Sequence, residues 1–137
     1  MQLARLRQLC LALPGAFEDH PFGPETAVMK IRAAVPAGAR SETKMFALFW
    51  EGSAPLRVNL KCDPALAEQL RAAHPEITPG YHMNKKHWNT VSCSGSLAEE
   101  MIRDLIEDSY DLVVASLSKA QREALDWRGL VERGSHD

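Results

Sequence analysis

The side chains best suited to chemistry are concentrated in residues 79–91, PGYHMNKKHWNTV. Lysines supply positive charge for phosphate or carboxylate groups, and aromatic rings offer faces on which a base can stack. Asparagine amides add hydrogen-bond donors and acceptors. The stretch therefore indicates a binding surface. Its candidate binding residues are Tyr81, His82, Asn84, Lys85, Lys86, His87, Trp88 and Asn89.

A structural interpretation of the same stretch stays open. In that interpretation, Gly80 and Asn84 shape turns, and Trp88 belongs to the hydrophobic core. The residue types alone are compatible with both interpretations.

Two predicted strands bring further positive charge. Residues 27–32 and 56–61 alternate between apolar and polar side chains, which is typical of antiparallel strands with one face on the core. Their polar sides carry Lys30, Arg32, Arg57, Asn59 and Lys61. If the strand registers align, these residues stand together on the open side of the sheet, where they could follow a phosphate backbone. An ordinary solvated face is the alternative.

The overall charge narrows the classes of function. The chain has a formal net charge of -2 and a pI near 6.2. This balance excludes a protein that coats nucleic acid by bulk positive charge, but it does not exclude a local basic patch. Residues 30–61 carry six basic and two acidic side chains, whereas residues 96–137 carry five and ten. The positive charge is therefore expected in the central strands and the negative charge in the C-terminal helices.

The elements that must position these residues are predicted from periodicity and capping signals. With 137 residues, the chain is expected to form a single domain over residues 1–127, followed by a frayed tail over residues 128–137. The first half of the chain is predicted to form a helix from residue 3 and then strands at 27–32, 44–50 and 56–61. A helix capped by Asp63, a polar loop at 76–86 and a strand at 87–93 are expected to follow. The chain then continues with a long helix behind a Ser96–Glu99 capping box and a short helix behind Ser118. This order predicts an α+β two-layer sandwich, an antiparallel sheet with helices packed on one face.

Three stretches of the sequence also resemble a known family. Residues 79–91, PFGPETAVMKI at 21–31 and VNLKCDP at 58–64 are similar to the MmcQ/YjbR family of small bacterial proteins, and the resemblance covers roughly residues 1–125. It implies a CyaY-like fold and a DNA-binding function through a double-wing surface. The matching positions are Lys61, Tyr81, Met83, Asn84, Lys85, His87, Trp88 and Asn89.

The sequence carries no recognised catalytic motif. It contains no G-x-S-x-G, P-loop or H-E-x-x-H pattern. No carboxylate lies close in sequence to His82 or His87 to orient either ring as a general base. We therefore expect a protein that is not an enzyme.

Metal and thiol chemistry are not expected either. His82 and His87 are five residues apart, which puts them on opposite faces of a strand. The acidic residues of the long predicted helix fit a solvated helix face. An odd number of widely spaced cysteines argues against a disulfide framework, so Cys10, Cys62 and Cys93 are predicted to be small buried apolar residues. No metal and no cofactor are expected.

Together these features predict weak DNA binding without strong sequence specificity, through the basic strand face and residues 79–91. The alternative is a module in which the same loop forms a pocket for an anionic small molecule or a protein. No apolar run approaches the ~20 residues that span a bilayer, so no membrane partner is expected. The N-terminal stretch has the periodicity of a helix rather than of a signal peptide. The expected compartment is therefore the cytoplasm.

Overall fold

The computed structural model of the chain describes residues 1–125. Its strands are β1 (Ala16–Asp19), β2 (Thr26–Ile31), β3 (Lys44–Trp50), β4 (Arg57–Lys61), β5 (Ile77–Pro79) and β6 (Trp88–Ser92). Its helices are α1 (Leu3–Leu11), α2 (Pro64–Ala73) and α3 (Glu99–Ala115), and residues 119–125 are also helical. The predicted frayed tail, residues 128–137, lies outside the described residues.

The six strands form one antiparallel sheet in the order β1-β2-β3-β4-β6-β5. Helix α3 packs on β3 and β4, and α1 packs on β1 and α3. The predicted α+β sandwich, with helices on one face of an antiparallel sheet, is confirmed. We call the side of the sheet opposite α1 and α3 the open face.

The alternation along the strands places the hydrophobic core on the helix side. Paired residues of adjacent strands share a face, so Ala27, Phe49 and Val58 point together toward the helices. All three are fully buried, together with Ile102 and Ile106 of α3. Burial of the valine, isoleucine and phenylalanine side chains among these stabilises the fold by about 1.5–3 kcal/mol each.

A β-bulge interrupts this regular pattern between β2 and β3. Met29 pairs with Ala47, but the next residue, Lys30, pairs with Met45, so Phe46 is an extra residue on β3. The bulge keeps Phe46 in the core beside Ala47, and its ring meets Tyr110 of α3 edge-on at a centroid distance of 5.5 Å.

A buried serine of α3 lies next to the end of the ladder between β3 and β4, one residue beyond the pair of Ala47 and Leu60. The Ser109 hydroxyl donates to the Phe46 carbonyl at 2.6 Å and accepts from the Lys61 backbone N–H at 2.9 Å. Ser109 is fully buried. Two backbone groups on neighbouring strands are thus satisfied by one side chain, which fixes α3 over the centre of the sheet.

The helix starts predicted at Asp63 and at Ser96 have different outcomes. Asp63 caps α2, since its carboxylate accepts from the Leu66 N–H, as predicted. The predicted capping box of Ser96 and Glu99 is wrong, because α3 begins behind Ala98 without a side-chain cap. The Ser96 hydroxyl instead donates to the Glu76 carboxylate at 3.1 Å, and a charged acceptor makes the stronger hydrogen bond.

The predicted loop at residues 76–86 contains a short edge strand, β5, which the sequence did not indicate. Strand β5 has three residues, of which Thr78 and Pro79 are exposed, and it pairs only with β6. A strand this short shows no periodicity, and its proline is tolerated because it lies on an edge.

Charge is divided between the two layers. Helix α3 carries six acidic residues against Arg103, whereas the open face carries most of the basic strand residues. The acidic residues of α3 are Glu99, Glu100, Asp104, Glu107, Asp108 and Asp111.

Among the helices within residues 1–125, none combines the length and the apolar character that crossing a membrane requires.

Replacement of Ser109 by alanine should destabilise the fold. The Lys61 N–H and the Phe46 carbonyl would lose their partner in a buried position, so we expect the free energy of unfolding to fall by about 1–3 kcal/mol. Urea denaturation followed by circular dichroism measures this change. Ser94→Ala, at an exposed position, is the control and should change stability by less than about 0.5 kcal/mol. Equal stability of Ser109→Ala and the unchanged protein would contradict the assigned role.

Candidate functional site

Residues 80–87, which we call the β5–β6 loop, are built from tight turns. The Gly80 N–H donates to the Trp88 carbonyl at 2.9 Å and closes the base of the loop. Within it, the Met83 N–H donates to the Gly80 carbonyl at 3.2 Å, and the Trp88 N–H donates to the Asn84 carbonyl at 3.0 Å. The loop therefore satisfies many of its own backbone groups.

Gly80 is required by the close approach of the two ends of the loop. A Cβ atom at this position would lie 2.8 Å from the Trp88 Cβ and 2.9 Å from the Trp88 carbonyl oxygen. Both distances are too short for any side chain. The turn role considered for Gly80 in the sequence is thus confirmed, on grounds of space.

Two polar residues of the sheet tie the loop to the open face. The Asn59 Nδ2 donates to the Tyr81 carbonyl at 3.0 Å, and the Tyr81 N–H donates to the Thr90 Oγ1 at 2.9 Å. The Thr90 hydroxyl also donates to the Asn59 Oδ1. Asn59 has the predicted orientation on the open face, but it is fully buried under the loop. Its predicted side of the sheet is right, but the expectation that this position is open to solvent is wrong.

Arg71 of α2 is a residue that sequence reasoning missed. Its Nε donates to the Asn89 Oδ1 at 2.6 Å, and its Nη2 donates to the carbonyls of Lys85 and Trp88. Asn89 is 2% exposed, so it belongs to the base of the loop rather than to its surface. A basic residue in the last turn of a helix was the only signal for Arg71, and it does not reveal which distant carbonyls are contacted.

The two lysines of the loop have different roles. The Lys85 Nζ donates to the Gly80 carbonyl at 3.0 Å, so its charge is directed into the loop. The Lys86 side chain is exposed and has no hydrogen bond or ion pair with the described residues. Its backbone N–H donates to the Asn84 Oδ1 at 2.9 Å, which gives Asn84 the turn-forming role.

The predicted strand cations also differ in availability. The Lys30 Nζ is paired with the Asp19 carboxylate at 2.8 Å. The guanidinium of Arg32 lies 4.2 Å from the centroid of the Phe17 ring, and its residue remains exposed. Arg57 is exposed and Lys61 is half-buried, and neither side chain has a charged partner within residues 1–125.

Three rings form a group on the open face that we call the ring cluster: Trp50, Tyr81 and His82. Trp50 meets Tyr81 edge-on at a centroid distance of 5.8 Å, and the Tyr81 and His82 rings are 4.0 Å apart. Tyr81 remains 52% exposed. His82 has a φ of 57°, in the left-handed region, which brings its ring against Tyr81.

The ring cluster contains Trp50, which was not predicted, and does not contain Trp88, which was. Trp50 was missed because β3 is apolar on both faces, so no alternation of polar residues singled out this position. Trp88 is half-buried at the position paired with Lys61, and it lies outside the described core cluster. His87 is half-buried at the end of the loop, where its carbonyl accepts from the Cys62 N–H at 2.8 Å.

Metal-ligand and thiol groups lie elsewhere. Within residues 1–125, one group of three potential metal ligands converges, namely Glu18, His20 and Glu51. The Arg7 guanidinium pairs with both carboxylates and offsets part of their negative charge. The three cysteines are buried, as predicted, and burial raises the pKa of Cys10 to about 12 and that of Cys93 to about 11. Both of these thiols therefore stay protonated at neutral pH.

The fold and this site together define a class of small α+β proteins in which a loop closes over the free face of the sheet and presents exposed rings and cations. The family model YjbR matches residues 11–112, and the chain belongs to the YjbR family, as the resemblance predicted.

Relatives with known sequence or structure agree with this assignment. The chain is 39% identical over 117 residues to YbdF of Escherichia coli O157:H7, covering 85% of this chain and 88% of the relative. It is 34% identical over 125 residues to YjbR of Escherichia coli K12, covering 91% and 98%. The crystal structure of Deinococcus radiodurans protein DR2400 matches with a TM-score of 0.79 at 42% identity, covering 91% of this chain and 88% of that one.

Replacement of Gly80 by alanine should strain the loop. The new Cβ would meet Trp88 backbone and Cβ atoms that cannot move freely, so we expect a loss of about 1–3 kcal/mol in the free energy of unfolding. Gly52→Ala is a matched control, because a Cβ at Gly52 would meet nothing within 4 Å. Chemical denaturation of both variants tests the assignment, and equal stability would contradict it.

His20 should titrate above its ordinary pKa. A hydrogen bond to the Glu18 carboxylate raises the pKa of His20 from 6.5, and the negative charge of Glu18 adds to the effect. The protonated ring therefore stabilises the fold below about pH 6.5, and this contribution is lost as the pH rises through the raised pKa. Titration of the His20 ring protons by NMR measures the shift, and Glu18→Gln should return the pKa toward 6.5. A pKa at or below 6.5 in the unchanged protein would contradict the hydrogen bond.

Proposed function

We propose that this protein is a non-enzymatic DNA-binding protein that uses the open face of the sheet and the β5–β6 loop. The observation that supports this proposal most directly is the shared location of cations and rings. Arg57 and Lys61 have no charged partner among the described residues and lie on the same side of the sheet as the ring cluster. Lys86 is exposed on the loop that also carries Tyr81 and His82, and it has no charged partner among the described residues either. Such cations attract a phosphate backbone, and exposed rings supply stacking surfaces.

The contacts of the other predicted residues narrow the binding set. Lys30, Lys85, Asn59 and Asn89 make hydrogen bonds or ion pairs inside the protein. We therefore assign phosphate contacts to Arg57, Lys61 and Lys86. Arg32 is a fourth candidate, because its guanidinium is exposed on one side while Phe17 supports the other.

Weak sequence specificity follows from the same contacts. Base edges are commonly read by asparagine or arginine side chains placed in the major groove by a helix or a β-ribbon. Here Asn84 and Asn89 are occupied by contacts within the loop and its base. Helix α3 is strongly acidic and cannot enter the groove of a polyanion. Binding through phosphates and stacking carries little sequence information.

Salt dependence of binding tests this proposal. For three or four phosphate contacts, we expect the affinity for labelled oligonucleotides to fall roughly 20- to 150-fold between about 50 and 200 mM salt. Fluorescence anisotropy measures both affinities. If the affinity does not change with salt concentration and free phosphate displaces the oligonucleotide, the result would support the alternative, a pocket for an anionic small molecule. No binding at the lower salt concentration would overturn the proposal.

A single lysine variant locates the interface. Lys86→Gln removes one exposed charge without touching the loop contacts of Lys85, so it should make the salt slope less steep by about 1. Lys119→Gln is the matched control, since Lys119 is 82% exposed and lies on the helical segment at residues 119–125. Equal slopes for Lys86→Gln and the unchanged protein would remove the loop from the interface.

A further inference from the structure

We infer that the open face prefers single-stranded over duplex nucleic acid, with one unstacked base against the ring cluster and its phosphate beside Arg57. This inference rests on the proposed function and names the form of nucleic acid that the site accepts. It depends on the alignment of three neighbouring strands and on a groove next to the ring cluster.

The sheet register places a ring and a cation side by side. Phe49 pairs with Val58, so the next residues toward the strand ends, Trp50 and Arg57, are neighbours on the open face. Arg57 in turn pairs with Ser92 of β6. Adjacent strands lie about 4.8 Å apart, so an aromatic ring, a guanidinium and a hydroxyl follow one another across the sheet. This sequence of groups suits the base and the phosphate of one nucleotide.

An open groove continues from Arg57 toward the edge strand β5. Its lining residues are Pro55, Arg57, Pro75, Glu76, Thr78, Thr90, Ser92, Gly95 and Ser96. Four of these residues carry hydroxyl groups, but those of Thr90 and Ser96 already donate to Asn59 and Glu76. The hydroxyls of Thr78 and Ser92 are left to complement the charge of Arg57 at a phosphate. Glu76 is the one acidic residue in this lining, and its carboxylate accepts from the Ser96 hydroxyl. The phosphate is therefore assigned to the Arg57 end of the groove and not to the Glu76 end.

The geometry of the rings favours an unstacked base. In a duplex, the faces of the bases are covered by their neighbours, and only the edges of the bases are accessible in the grooves. Asn59 and Thr90 hold the backbone of Tyr81 against the sheet, and its ring packs against Trp50 and His82, which opposes insertion of the ring between base pairs. A single strand, in contrast, can turn one base toward the exposed half of Tyr81.

Paired binding measurements test the inference. The probes are a labelled mixed-sequence single strand and the duplex that it forms with its complement, both titrated by anisotropy at about 50 mM salt. We expect tighter binding of the single strand. Tyr81→Ala should weaken single-strand binding roughly 5- to 100-fold, which corresponds to the loss of one stacked base. It should weaken duplex binding much less than single-strand binding, and Tyr81→Phe should restore single-strand affinity because the ring is kept.

Matched controls separate stacking from folding. Phe22→Ala removes an aromatic ring that is 71% exposed and lies outside the ring cluster, so it should have no effect on either probe. The anchoring contacts of Tyr81 use its backbone N–H and carbonyl, so Tyr81→Ala should keep its urea midpoint. Tryptophan fluorescence gives a second readout that does not depend on alanine variants, and binding of the single strand should quench it. The quenching should persist in Trp88→Phe and disappear in Trp50→Phe.

The outcomes distinguish the two proposals. Equal affinity for single strand and duplex, or unchanged tryptophan fluorescence upon binding, would overturn the single-strand inference and leave DNA binding in place. Failure of both probes to bind would overturn the proposed function itself. A loss of affinity in Phe22→Ala as large as that in Tyr81→Ala would also overturn the assignment of the base to the ring cluster.

Discussion

The hydroxyl of Ser109 is the contact on which the arrangement of both layers depends. The ladder between β3 and β4 ends at the pair of Ala47 and Leu60, and beyond it the Phe46 carbonyl and the Lys61 N–H need another partner. Ser109 satisfies both groups from α3. Because β4 carries Arg57, Asn59 and Lys61, the contact that fixes β4 against β3 also fixes the residues of the open face.

The β5–β6 loop uses most of its polar side chains to hold its own shape. A loop that lies over a sheet shields some of its backbone groups from water, and these groups need hydrogen-bond partners within the protein. Asn59, Thr90 and Arg71 supply these partners from the sheet and from α2, and Lys85 supplies one from within the loop. Only the groups left over, chiefly Lys86 and the ring cluster, are available to a partner.

Local signals in the sequence predicted the fold well, whereas the site depended on distant contacts. Strand alternation and the Asp63 cap act within a few residues, so they could be recognised without a structure. The exposure of Asn59 could not be predicted, because it depends on a loop that returns some twenty residues later. Arg71 and Trp50 were missed for the same reason, since their partners lie on other elements. The Ser96 hydroxyl likewise bonds to the carboxylate of Glu76, twenty residues earlier, and not to a local backbone N–H.

The separation of charge between α3 and the open face gives the molecule an electrical polarity that its net charge of -2 conceals. A polyanion that approaches the helical layer is repelled by six carboxylates, whereas one that approaches the sheet is attracted. At physiological ionic strength these forces act over about 8 Å, so they operate before any contact forms. Under the proposed function, this polarity orients a nucleic acid toward the open face before contact, although the protein as a whole is slightly acidic.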